Sequence, residues 1–124
     1  MLFALLAMAC PVLAAWELVR GEKDIRLSID PAIKRKSDEA NIRYLVDFRQ
    51  AQEGTYRSLV VSAAIRCKAR TIALRDTQVY AENSGTGVLL SFAKPTKEEA
   101  RFRKIEDGSS DVELWERVCG KPKK

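Results

Sequence analysis

The sequence predicts an α+β fold, mainly antiparallel β: a meander of about six strands with a C-terminal helix tied to one face by a disulfide. Three observations predict it. Apolar and polar residues alternate over 41–49 and again over 55–67, the two-residue period of half-buried strands. Polar turns separate the strand-like runs at short intervals, and no stretch reads as the long helical crossover that a parallel sheet needs. Only near the end, over 111–119, does the apolar spacing become helical.

The chain opens with MLFALLAMACPVLAA, fifteen residues without a charged side chain, whereas all 22 Lys and Arg and all 17 Asp and Glu follow. That run is too short to span a bilayer as a helix and ends in small residues that suit signal peptidase, so residues 1–15 read as a cleaved export signal. Its positively charged n-region is missing, and only the amino group of Met1 supplies charge. Two other readings compete: Cys10 as a lipidated cysteine, with Ala7-Met8-Ala9 a poor lead-in to it, and a buried apolar segment of a cytosolic fold.

Trp16 to Arg20 and Asp24 to Ile29 alternate about Gly21-Glu22-Lys23 and predict a β-hairpin. Asp30 to Glu39 begins as a turn and runs into Lys34-Arg35-Lys36, which reads as a connecting loop with one helical turn. Over Asn41–Arg49, Ile42, Tyr44, Val46 and Phe48 fall on one face and Arg43, Asp47 and Arg49 on the other. Thr55 to Cys67 continues the pattern with Leu59, Val61, Ala63, Ile65 and Cys67 toward the core. Arg70 to Tyr80, the glycine turn Glu82–Gly87 and Val88 to Phe92 form a further hairpin. Lys94 to Lys104 reads as a loop or a weak helix. Ser110-Asp111-Val112-Glu113 has the form of a capping box opening a helix over Asp111–Cys119, with Leu114, Trp115 and Val118 at helical spacing. Trp115 and Cys119, four apart, aim at whatever that helix packs upon. Residues 16–119 therefore form one domain and 120–124 a basic tail.

Cys67 and Cys119 remain after signal cleavage, an even number in a chain read as exported, and the reading pairs them. The loop so closed would contribute roughly 4 kcal/mol in the chain-entropy picture. Two free buried thiols are the alternative. Zinc is disfavoured, because two thiolates without histidine make no usual structural site.

The sequence contains no histidine, which removes most hydrolase and metalloenzyme designs. No pair of carboxylates is forced into a pocket, and Asp47 reads equally as a cross-strand partner of an arginine. Gly85-Thr86-Gly87 is a hairpin turn rather than a phosphate loop, since neither a helix nor Lys-Ser/Thr follows. The reading is therefore non-enzymatic, with no cofactor and no metal. A net charge of +5 favours polyanions such as nucleic acid, lipopolysaccharide or acidic glycans. Arg43, Arg49, Arg66 and Arg75 lie on polar strand faces and, with Tyr56 and Lys68, are candidates for a basic, partly aromatic binding face. The competing reading is a solvated surface laced with Asp47 and Asp76. Lys34, Arg35 and Lys36, and Lys121, Lys123 and Lys124, form two short basic clusters.

Trp16-Glu17-Leu18-Val19 opening the mature chain, Ile29-Asp30, Arg66-Cys67-Lys68, Tyr80 before a glycine turn and Ser109 to Cys119 together resemble the surface-adhesin protein E-like family of small exported Gram-negative envelope proteins. Asp107-Gly108-Ser109 stands where that family usually has Pro-Gly-Ser. The resemblance implies a sheet of about six antiparallel strands with a C-terminal helix held on its inner face by Cys67–Cys119. It also implies a protein-binding, adhesin-like role in the periplasm or at the outer surface, with host or envelope proteins as partners and no membrane span after cleavage. Polyanion binding is the alternative function, and pairing of sheet edges into a homodimer is the remaining expectation.

Overall fold

The computed structural model describes residues 16–120. The expected signal segment 1–15, Cys10 and the tail lysines 121, 123 and 124 lie outside the described residues.

Eight strands form one antiparallel sheet: β1 (Glu17–Gly21), β2 (Ile25–Ile29), β3 (Lys34–Lys36), β4 (Glu39–Gln52), β5 (Tyr56–Arg66), β6 (Thr71–Tyr80), β7 (Leu89–Ala93) and β8 (Arg103–Lys104). Six of them follow the spatial path β1-β2-β4-β5-β6-β7, while β3 adds to β4 and β8 to β6. This is the expected meander, with two short strands beyond it. The helices are α1 (Lys97–Ala100) and α2 (Ser110–Cys119), and a 3-10 turn spans Asn83–Gly85.

The connector after β2 differs from its sequence reading. Lys34–Lys36 is a strand rather than a loop with a helical turn, and it pairs Lys34 with Asn41 and Lys36 with Glu39. Its middle residue explains why. Arg35 turns to the opposite face and donates a 2.7 Å hydrogen bond to the Val118 carbonyl, where a cation meets the negative end of the α2 dipole. Three consecutive charges conceal a two-residue alternation.

The α2 side of the sheet holds the main core: Leu27, Ile29, Ile42, Ala63, Ile65 and Ile72 pack with Ile105, Leu114 and Val118. The helix begins at Ser110, one residue earlier than predicted, and Ser109 at its N-cap makes no side-chain cap bond. The expected capping box does not form there, because Glu113 points instead to Arg20, 3.2 Å away. A capping box does form at α1, between Thr96 and Glu99. Asp107-Gly108 makes the turn before α2 without proline. Gly108 takes φ +85°, and the Ser109 N–H and Oγ both donate to the Glu106 carbonyl, at 3.3 and 2.7 Å.

Strand β5 is buried on both faces, which single-face alternation did not predict. Ser58, Val60 and Ala64, on the side away from α2, are as covered as Ala63 and Ile65. The cover over Val60 is the 83–85 turn. A Cβ at Gly85 would lie 2.9 Å from Val60 Cγ2, and Gly85 has φ +68°, so only glycine fits this approach.

Cys67, just past β5, is bonded to Cys119 at the end of α2, with 5.6 Å between their Cα atoms. The helix is thus fastened across the inner face, as the pairing of the two cysteines predicted.

Candidate binding surfaces

The face of the sheet away from α2, here the back face, carries three of the candidate arginines. Arg43 forms an ion pair with Asp30 at 3.4 Å, and its guanidinium lies 5.6 Å from the Trp16 ring centroid. Arg66 pairs with Glu39 at 3.5 Å and lies over the Phe102 ring at 3.7 Å. Arg75 approaches the same ring at 5.6 Å. It sits in a β-bulge, where the β5–β6 register shifts between Ser62 and Ala63, and such a bulge re-aims a side chain.

Arg49 and Tyr56 do not join them. The β4–β5 register breaks after Asp47, and Tyr56 packs edge-to-face on Phe48, with ring centroids 5.9 Å apart, at the far hairpin. Ten strand steps, roughly 33 Å, separate Tyr56 from Arg66. Asp47 is not an arginine's cross-strand anchor: its carboxylate accepts from Ser84 N at 2.7 Å and Asn83 Nδ2 at 3.2 Å, holding the 83–85 turn. Lys68 donates its backbone N–H to the Asp38 carboxylate at 2.9 Å.

Sequence reasoning missed Phe102, which lay in a stretch read as loop or weak helix. It also missed the character of β7. Strand β7 is an edge of the sheet, all five of its residues are exposed, and Val88, Leu89, Leu90 and Phe92 keep 68, 47, 45 and 53 % of their surface in water. The run Val88–Ala93 contains no charge. The opposite edge is guarded: in β1, Arg20 pairs with Glu113 and Glu22, Glu17 pairs with Arg117 of α2, and a register shift follows Leu18. On the α2 side, beyond the start of the helix, Ile25, Leu27 and Val46 line a cleft of about 320 Å3 with Arg20, Glu22 and Ser110 on its rim.

Two groups at the N-terminal half of α2, Tyr44 on the sheet and Asp111 in the helix's first turn, are shifted by burial. Desolvation pushes the Tyr44 phenol well above its usual range, and the Asp111 carboxylate raises it further. The Asp111 carboxyl is itself held above its ordinary value by desolvation, against the opposing pull of Arg103. Among the described residues, no cluster of three or more acidic or cysteine side chains could hold a metal ion, and no helix is long and apolar enough to cross a membrane.

The sequence profile of surface-adhesin protein E matches residues 16–120. The chain belongs to the surface-adhesin protein E family. Solved structures of Haemophilus influenzae protein E share its fold. One crystal form of that protein superposes with a TM-score of 0.65 at 17% identity, covering 92% of this chain and 94% of that one. Protein E from non-typeable Haemophilus influenzae gives 0.57 at 17% identity, over 92% and 81% of the two chains. A selenomethionine form of protein E gives 0.59 at 16% identity, over 75% and 78%. No curated protein sequence matches the chain. Trp16–Val19, Ile29-Asp30, Arg66–Lys68, Tyr80 and Ser109–Cys119, the residues that carried the resemblance, all lie within the matched span.

Proposed function

We propose that this adhesin-E domain is an exported, non-catalytic binding module, acting in the periplasm or at the outer surface, that engages a partner protein along β7. The observation that carries the reading is the exposure of Val88, Leu89, Leu90 and Phe92 on an edge strand without a charged residue, where a register shift at Leu90 is the strand's one edge-blunting feature among the described residues. Such an edge offers a row of backbone N–H and C=O groups for main-chain hydrogen bonds, and natural proteins usually blunt it with charge, proline or a bulge unless it is used. An uncharged extended segment of a partner, added as one more strand, would satisfy those groups and cover the apolar side chains together. Export is supported by the uncharged fifteen-residue leader and by the family. The non-catalytic reading is supported by the lack of histidine and by the work the carboxylates already do: Asp30, Asp38 and Asp47 each accept from backbone N–H groups.

The test uses beads coated with the protein on a surface of host extracellular-matrix proteins, one class of host partner the family resemblance implies, comparing the parent with Leu90→Lys/Phe92→Lys. Both positions are exposed, so the variant should keep its unfolding midpoint. Retention of parent beads and its loss in the variant is the expected result. Retention that survives both lysines rules out β7, and no retention of the parent rules out matrix adhesion. A second copy is the competing occupant, and sedimentation of the parent as a concentration-dependent dimer that the variant abolishes would identify it.

A further inference from the structure

We propose that the back face, at the end built by Arg66, Arg75 and Phe102, is a binding site for a linear polyanion bearing repeated sulfate or phosphate groups. This site is separate from the β7 edge and does not depend on it.

The side chains are placed by register. Lys36 pairs with Glu39, Glu39 with Arg66, Arg66 with Thr71 and Thr71 with Lys104, so these five residues form one row across β3, β4, β5, β6 and β8. Directly paired residues share a face, and the strands are about 4.8 Å apart, so the row spans roughly 19 Å from Lys36 to Lys104. Lys34 lies two residues along β3 on the same face.

Beside the centre of the row a second cation, Arg75 of the β6 bulge, reaches the ring that Arg66 covers. Arg66 and Arg75 both lie over the Phe102 ring, at 3.7 and 5.6 Å from its centroid. The ring attracts each guanidinium by its quadrupole but carries no net charge, so it fixes the two without neutralising them. Among the described residues, Glu39 is the one carboxylate paired with either. Lys34, Lys36, Arg75 and Lys104 take part in none of the ion pairs among the described residues. The Thr71 hydroxyl, between Arg66 and Lys104, is buried beneath this surface and has no hydrogen-bond partner among those residues.

Like charges held this close repel, and an anion with several oxygens relieves that repulsion while accepting from the guanidinium N–H edges. A single small anion would use the arginine pair alone. The lysines on either side, each two strands or roughly 10 Å from Arg66, extend the positive charge across the row, which suits a chain carrying repeated anionic groups. Because both guanidinium groups are already packed on Phe102, little side-chain freedom is lost on binding.

The experiment titrates the purified protein separately with a heparin octasaccharide and with inorganic polyphosphate, at low and moderate salt. Arg66→Gln/Arg75→Gln should weaken binding about tenfold or more and reduce the slope of log affinity against log salt by about 2. Lys23→Gln/Arg49→Gln removes the same charge from exposed positions at the far end of the sheet and should change affinity less than about twofold. Glu39→Gln, which removes the competing carboxylate, should tighten binding a few-fold. The probe bound more tightly, with this pattern of sensitivity, distinguishes a sulfated from a phosphate-bearing chain as the source of the charge. Equal losses from the two double variants would reduce the effect to net charge and overturn the site. So would an affinity unmoved by Arg66→Gln/Arg75→Gln, or no binding of either probe by the parent at low salt.

Discussion

The indole Nε1 of Trp115 donates a 3.1 Å hydrogen bond to the carbonyl oxygen of Cys67, the residue whose Sγ is bonded to Cys119, one helical turn beyond Trp115. Helix α2 is therefore held to the end of β5 twice from a single face. The same end is fixed from the other direction, since Cys67 N donates to the Asp38 carbonyl at 3.1 Å. A ten-residue helix has little stability of its own, so these two fastenings and the burial of Leu114 and Val118 keep it in place.

Trp115→Phe removes the indole donor while keeping an aromatic ring for the neighbouring Arg70, whose guanidinium lies 4.9 Å from the Trp115 centroid. The expected loss is about 1 kcal/mol, the net contribution of one hydrogen bond. Trp115→Ala should cost about 3 kcal/mol or more through the cavity it leaves. Urea unfolding of both variants under oxidising conditions measures the difference.

Replacing both cysteines, Cys67→Ser/Cys119→Ser, opens a loop whose ends are 52 residues apart in sequence. The expected destabilisation is about 4 kcal/mol, comparable with the whole stability of many domains of this size. The unfolding midpoint of the parent should fall similarly on adding reductant, and that of the double variant should not move.

Ser58 is fully buried, donates to the Glu82 carbonyl at 2.6 Å and accepts from Gly85 N at 2.9 Å. Ser58→Ala leaves both backbone groups without that partner and should cost about 1–3 kcal/mol. Gly85→Ala forces a Cβ against Val60 in a left-handed conformation and should destabilise by about 1 kcal/mol or more. Hydrogen exchange should locate both effects at the 83–85 turn rather than at α2.

Asp111 is raised above its ordinary carboxylate value in the folded state by desolvation. The fold thus favours its protonated form, so this group's contribution to stability is complete below the unfolded value near 3.8 and is lost as pH rises through the higher folded value. Asp111→Asn should flatten that part of the stability profile. Urea midpoints of parent and variant between about pH 3 and pH 7, compared at each pH, check the sign.

Much of this architecture was legible in the sequence because it is local. Alternation over 41–49 and 55–67 marked β4 and β5, glycine turns marked the hairpins, and the three- and four-residue spacing of Leu114, Trp115 and Val118 marked α2. Each signal arises from the periodicity of one element and needs no knowledge of its neighbours. The two cysteines in a chain with an export-like leader pointed to one covalent bond. The candidate arginines are all exposed, but alternation alone does not say which of them meet.

Tertiary structure decided the rest. Arg66 and Arg75 share Phe102 because a bulge in β6 and the return of the chain after α1 bring together residues from separate segments, while the break after Asp47 sends Arg49 elsewhere. Lys34-Arg35-Lys36 is a strand only because β4 supplies its hydrogen bonds and the end of α2 accepts Arg35. Val88–Ala93 is a β pattern in sequence, but its exposure follows from its place at the edge, where no further strand pairs with it. Periodicity belongs to a segment and can be read along it. Pairing, edge position and the grouping of charges depend on which segments become neighbours, and the chain settles those only by folding.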